Sequence, residues 1–150
     1  MQQPHGIRAF RFVLVIALLS AIAACSRDSP EQAVRRQIEA MQSAIEERDA
    51  GALSGVLAVD FIGHGGMDRR EARGLAVAVF LRHRQVDARL GPIEVLLRGQ
   101  GEAVARFSVL VTGGNGGLLP ESGQVYWVET GWRFADGEWR LVNADWTAVS

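Results

Sequence analysis

Two of the three histidines, together with Glu129, Asn143, Asp145, Trp127 and Trp146, have side chains suited to acid–base or recognition chemistry. An imidazole changes charge close to neutrality, so a histidine can take up and return a proton without strong tuning by its surroundings. His64 stands between glycines in DFIGHGG. There it is either a general base or a ring that bonds a backbone group at a turn. Asp145, in LVNADWTAV, and Glu129, in QVYWVETGWRF, are the carboxylates that would orient such a base or supply an acid. His83 falls on the apolar side of AVAVFLRHR, where a hydrogen-bonded core or rim histidine is the plainer assignment. Asn143, Asp145 and Glu129 among tryptophans have the profile of a small-molecule site, a few polar groups in an aromatic pocket. The single cysteine excludes an internal disulfide, and no Cys/His cluster with zinc spacing exists. Neither metal nor cofactor is expected.

The elements that would position these residues follow from periodicity. Ser29, Pro30 and Gln32 form a capping-box start, after which Val34, Ile38, Met41 and Ile45 recur at helical spacing to about Arg48. Asp49 caps a second, shorter helix through AGALSGVLA. Asp68 and Glu71 start a third, with Ala72, Leu75, Ala76, Val79, Phe80 and His83 as its apolar stripe. After residue 90 the period changes to two. GPIEVLLRG, EAVARFSVLVTGG, GQVYWVETGWRFADG and EWRLVNADWTAVS read as strands, the last two joined at an Asp-Gly turn. GGNGGLLPES is a Gly-rich connection. Helices followed by an antiparallel meander indicate one α+β domain.

Alternation leaves one choice open. In the penultimate strand Tyr126, Val128, Thr130, Trp132 and Phe134 form the more apolar set and pack on the helices. In the last strand Trp139, Leu141, Asn143, Asp145 and Thr147 share a parity. Facing a cavity, the polar members of that set and Glu129 would contact ligand. Facing outward, Trp127 and Trp139 would form an association patch. A single bulge would invert the assignment.

The amino terminus reads as an address. Arg8 and Arg11 precede an uncharged run of thirteen residues, Phe12 to Ala24, too short for a membrane span of about 20. Ile22-Ala23-Ala24-Cys25 resembles a bacterial lipobox. That resemblance implies cleavage before Cys25 and acylation of Cys25, so the expected division is a signal peptide at 1–24, a lipidated tether at 25–29 and a domain at 30–150. The tether, Ser26 to Ser29, spans about 14 Å when extended. Ser26 at the second position favours the outer membrane, so the expected location is the cell envelope, lipid-anchored and facing the periplasm. The net charge is −1 and the sixteen basic residues, all Arg, are scattered along the chain. No basic footprint for nucleic acid is expected.

ERDAGALSGVLAVDFIGHGG, a following helix and the terminal GEWRLVNADWTAV resemble the nuclear-transport-factor-2-like superfamily, which includes ketosteroid isomerase, SnoaL-like polyketide cyclases and scytalone dehydratase. The resemblance covers about residues 30 to 149. It implies a strongly bent antiparallel sheet wrapped around the N-terminal helices as a cone, with a ligand cavity at the open end. The general-base carboxylate of the isomerases would fall at or within one residue of Gly65. No carboxylate stands there, and His64 is the candidate in its place, with His83 facing it across the mouth. The resemblance also implies a homodimer through the sheet. The leading expectation is a domain that binds a small apolar or amphipathic ligand, or a partner protein, without turnover. The alternatives are a cyclase-, dehydratase- or isomerase-type enzyme using His64 with Asp145 or Glu129, and a structural dimerisation module.

Overall fold

In the computed structural model of the chain, which describes residues 27–115 and 122–150, Ser29 caps the first helix. Its hydroxyl accepts from the Gln32 amide at 3.3 Å, and the Gln32 side chain accepts from the Ser29 amide at 3.1 Å. Pro30 takes the first helical position, where a missing N–H costs nothing, and α1 runs Pro30–Glu46. The leader 1–24 and Cys25 lie outside the described residues, as do residues 116–121 of the Gly-rich connection.

Asp49 accepts from the Ala52 amide at 2.8 Å and starts α2, Ala50–Val56. Arg48, with a positive φ of 58°, donates to the carbonyls of Phe80 and Arg84 and so fastens this corner to the end of the third helix. Strand β1, Leu57–Gly63, follows without a loop. A 3-10 turn at His64–Gly66 then reverses the chain, using positive φ at Gly65 and Gly66. Asp68 and Glu71 make the reciprocal capping box of α3, Arg69–Arg82, through bonds of 2.8 and 2.9 Å.

The remaining strands are β2 Gln85–Leu90, β3 Glu94–Leu97, β4 Glu102–Gly114, β5 Ser122–Ala135 and β6 Glu138–Ala148. Their order is β1-β6-β5-β4-β2, and β3 pairs with β4 beside β2. Positive φ at Asp136 and Gly137 forms the tight β5–β6 turn that the Asp-Gly pair signals. Helix α1 lies against the sheet, where Gln42 donates to the Ala88 carbonyl at 2.7 Å and Arg35 to that of Ile93. Val34 and Ile38 pack with Leu57, Phe61, Phe107, Trp132, Trp139 and Leu141 as the main core. Inside it the Thr130 hydroxyl accepts from the Trp132 indole at 2.9 Å and donates to the Ala105 carbonyl at 3.1 Å, so no polar atom of this pair is left unmet.

The α+β class and the bent sheet packed on helices agree with expectation, and three features differ. QVDARL is a strand, β2, where no element was assigned. Leu57 and Ala58 belong to β1 and not to the second helix. The sheet is mixed, because β1 runs parallel to β6. Leu57 is where β1 meets β6 and Ala58 is buried, so tertiary burial there outweighs a helical run of small residues.

Candidate functional site

The three helices do not fill the space above the sheet. Between them and β1, β2, β4 and β6 lies a cavity of about 300 Å³. Its walls come from the inner sides of the helices (Met41, Ile45, Leu53, Leu75, Ala76, Val79, Phe80) and from Phe61, Met67, Val86, Val111, Leu141, Ala144 and Trp146. Among the described residues Ser54 and Arg73 are the polar ones in the lining, and Arg73 is the one that is ionisable. The helical stripes that the sequence reading assigned to core packing are thus also the cavity wall.

A bulge in β6 decides which strand residues reach this space. Gly131 pairs with Asn143, but Trp132 pairs with Leu141, so Val142 is the extra residue and parity changes across it. Before the bulge, Trp139 and Leu141 point inward and are buried. After it, Ala144 and Trp146 point inward, while Asn143, Asp145 and Thr147 point out. The set of five that alternation grouped together is therefore divided between the two faces.

The candidate residues fall accordingly. His64 and Asp145 meet: the His64 Nδ1 bonds the Asp145 carboxylate, and its ring lies on Trp146 with centroids 5.1 Å apart. Both side chains are more than half exposed, and neither lines the cavity. The bond from His64, with a smaller contribution from the Trp146 amide at 3.0 Å, holds the Asp145 carboxyl below its ordinary range against partial desolvation. Glu129 lies on the same outer face, paired with Arg106 at 2.6 Å. Register places Glu94 opposite Arg106, Arg106 opposite Glu129 and Glu129 opposite Asp145. A row of charges thus crosses four strands and ends at His64. Asn143 covers Gly131, where a Cβ would come within 2.5 Å of its amide nitrogen. Trp127 stands out from the sheet, 62% exposed, beside an open outer groove shared with Glu129, Asp145 and Trp146. Trp146 therefore borders both the cavity and the groove.

His83 is not on the helical stripe. It is the C-cap residue of α3, with its ring against Gly113 and a buried Nδ1 that has no partner among the described residues. The fourteen residues of α3 span about 21 Å, and His64 and His83 lie just beyond opposite ends of it. They do not face each other across a mouth. Sequence reading also missed a basic group: Arg69, Arg70 and Arg73, taken as scattered, line one groove with Asp68 at the start of α3. The signal was available in DRREAR, where spacings of three (Arg70 to Arg73) and four (Arg69 to Arg73) return to one side of a helix. Among the described residues no cluster of three or more His, Cys, Asp and Glu side chains could hold a metal ion.

No family model matches the chain, and no curated protein matches it. Solved structures do. A protein assigned as a scytalone dehydratase from Novosphingobium aromaticivorans superposes with a TM-score of 0.68 at 12% identity, over 80% of this chain and 84% of that one. An uncharacterised protein with a cystatin-like fold from Caulobacter vibrioides gives 0.68 at 16% identity, over 80% and 89%. A hexachlorocyclohexane dehydrochlorinase from Novosphingobium barchaimii gives 0.66 at 12%, over 80% and 86%. These likenesses establish the nuclear-transport-factor-2-like fold that the sequence resemblance implied. The fold hosts enzymes and proteins of unknown activity alike, and function must be argued from the site.

Proposed function

We propose that the domain binds a small, largely apolar ligand in the interior cavity without turning it over, and that an acylated Cys25 holds it at the cell envelope, facing the periplasm. One observation carries the binding reading. The cavity has the size and apolar character of a small-molecule site, yet among the described residues its lining contains no carboxylate or imidazole, and hence no acid–base pair in contact with a ligand. The one acid–imidazole pair among the described residues, His64–Asp145, belongs to a charged row on the outer face. The anchor rests on the lipobox resemblance at Ile22–Cys25 and on the charged leader ahead of it. The exposed apolar residues of the outer sheet face further support a homodimer.

Uptake of the neutral fluorophore N-phenyl-1-naphthylamine by the full chain tests the binding reading. Saturable binding is expected in the wild type, with loss in Ala76→Phe, which fills the cavity from α3. A wild-type protein that takes up none, or an Ala76→Phe protein that binds equally well, would sink it. For the anchor, Cys25→Ala is expected to release the protein from the membrane fraction and abolish acyl labelling, and unchanged fractionation would retire that part.

The enzyme reading has one observation in its favour: His64 stacks on Trp146, which does line the cavity. Masses of molecules co-purifying with the wild type and with His64→Gln decide between the two. Identical species support binding alone; a distinct species trapped only by His64→Gln supports turnover.

A further inference from the structure

We infer that the ligand is an amphipathic anion, its apolar body in the cavity and its carboxylate or phosphate head held by Arg73 with Arg69 and Arg70. This rests on the cavity reading above and adds the head group to it. The cavity meets the start of α3 at Arg73. It adjoins a second space of about 470 Å³, and Ser54 and Arg73 line both. A ligand in the apolar space thus has one end beside a groove lined by Arg69, Arg70 and Arg73.

The charge there is not spent within the protein. Arg70 and Arg73 make no ion pair or hydrogen bond among the described residues, and Arg69 uses only its Nε, donating to the Ser54 carbonyl at 3.2 Å. The neighbouring acids are committed elsewhere: Asp68 accepts from the Glu71 amide and Glu71 from the Asp68 amide, closing the helix cap. Three cations therefore face one capped carboxylate in the groove. By contrast, Arg106, Arg133 and Arg140 each have a carboxylate partner. An arginine fork pairs a carboxylate or phosphate with two parallel N–H bonds, and no neutral head would use it as well. At roughly 30 Å³ per non-hydrogen atom, the 300 Å³ cavity accommodates a body of about ten such atoms. The chemistry is that of a medium-chain acyl carboxylate or an alkyl phosphate.

The full chain in a non-ionic detergent, titrated with octanoate, monooctyl phosphate and octan-1-ol, tests this directly. At least one of the two anions is expected to bind about tenfold more tightly than the alcohol of the same chain length. Arg73→Gln is expected to erase that preference, so that the anions bind no more tightly than octan-1-ol, and Arg73→Lys, which keeps the charge, to retain it. A larger preference for octanoate identifies a fatty-acid source, and a larger one for the phosphate a lipid headgroup. Equal affinity for alcohol and both anions overturns the anion assignment, and a preference that survives Arg73→Gln overturns the placing of the head at Arg73; either result leaves the cavity reading standing. Failure of all three to bind in a protein that takes up N-phenyl-1-naphthylamine overturns the amphipathic-anion assignment alone, and failure of the fluorophore as well overturns both.

Discussion

The hydrogen bond between His64 and Asp145 sets how far each residue is available for chemistry, and it is legible in solution through the carboxylate. Asp145 is held below its ordinary value chiefly by His64, and Asp60 is held below its own by Arg133, whose two terminal nitrogens donate to it at 2.6 and 3.1 Å. A carboxyl group with a lowered folded value contributes stability above its unfolded value and loses it as pH falls through the lowered one. The carboxyl carbon of Asp145 followed by NMR is therefore expected to titrate below the usual aspartate range. In His64→Ala its midpoint is expected to rise part of the way back, since the Trp146 amide still donates, while Asp60 stays where it was. An Asp145 midpoint that ignores His64→Ala would show that the pair does not form in water. The sequence allowed Asp145 to be named as the partner of His64, because both residue types suit the role. It could not assign them to a face, because that depends on the one-residue bulge at Val142, which leaves no mark in the hydrophobic pattern of EWRLVNADWTAV.

At the scale of elements, the helix starts were legible and some strand starts were not, for opposite physical reasons. A cap is local: Ser29, Asp49 and Asp68 each bond an amide within three residues, so type and spacing suffice. Strand β2 has no such signal. QVDARL follows His83 and Arg84 without a glycine or proline break, and it is a strand because Val86 and Ala88 bury against β4 and α1. The parallel pairing of β1 with β6 joins residues some eighty positions apart and is likewise absent from local pattern. Helix α3 shows what a local device does for a site, since its first turns carry Arg69, Arg70 and Arg73. Asp68→Ala is expected to lower stability by about 1 kcal/mol, or about 4 °C in Tm, by leaving the α3 amides without an acceptor. Asp68→Asn keeps the cap and is expected to stay near wild type. Equal loss in both variants would place the contribution in the charge of Asp68 and not in its cap.

At the scale of the whole molecule, the sheet has two working faces, and they differ in what they leave uncovered. The inner face is closed by three helices except for the cavity. The outer face bears Leu110, Val125, Trp127 and Val149, all more than a third exposed, and they are neighbours across β4, β5 and β6. Beside this strip runs the row Glu94, Arg106, Glu129 and Asp145, in which both signs are present. An apolar centre edged by charged residues is the layout of a protein interface, and a sheet that carries it can meet a second copy with the same patch. A stable interface buries roughly 800 Å² per partner, so the strip would be its centre and the charged row its rim. Light scattering of the full chain, with detergent mass subtracted, is expected to report two copies. Trp127→Glu is expected to reduce this to one while changing monomer stability by no more than about 0.5 kcal/mol, because Trp127 is 62% exposed and packs little within its own chain. Trp127 is not among the residues that line the cavity, so ligand affinity in Trp127→Glu should equal that of the wild type. A wild-type chain that is monomeric at every concentration would leave the strip without this role, and a Trp127→Glu chain that stays paired would move the interface elsewhere on the surface.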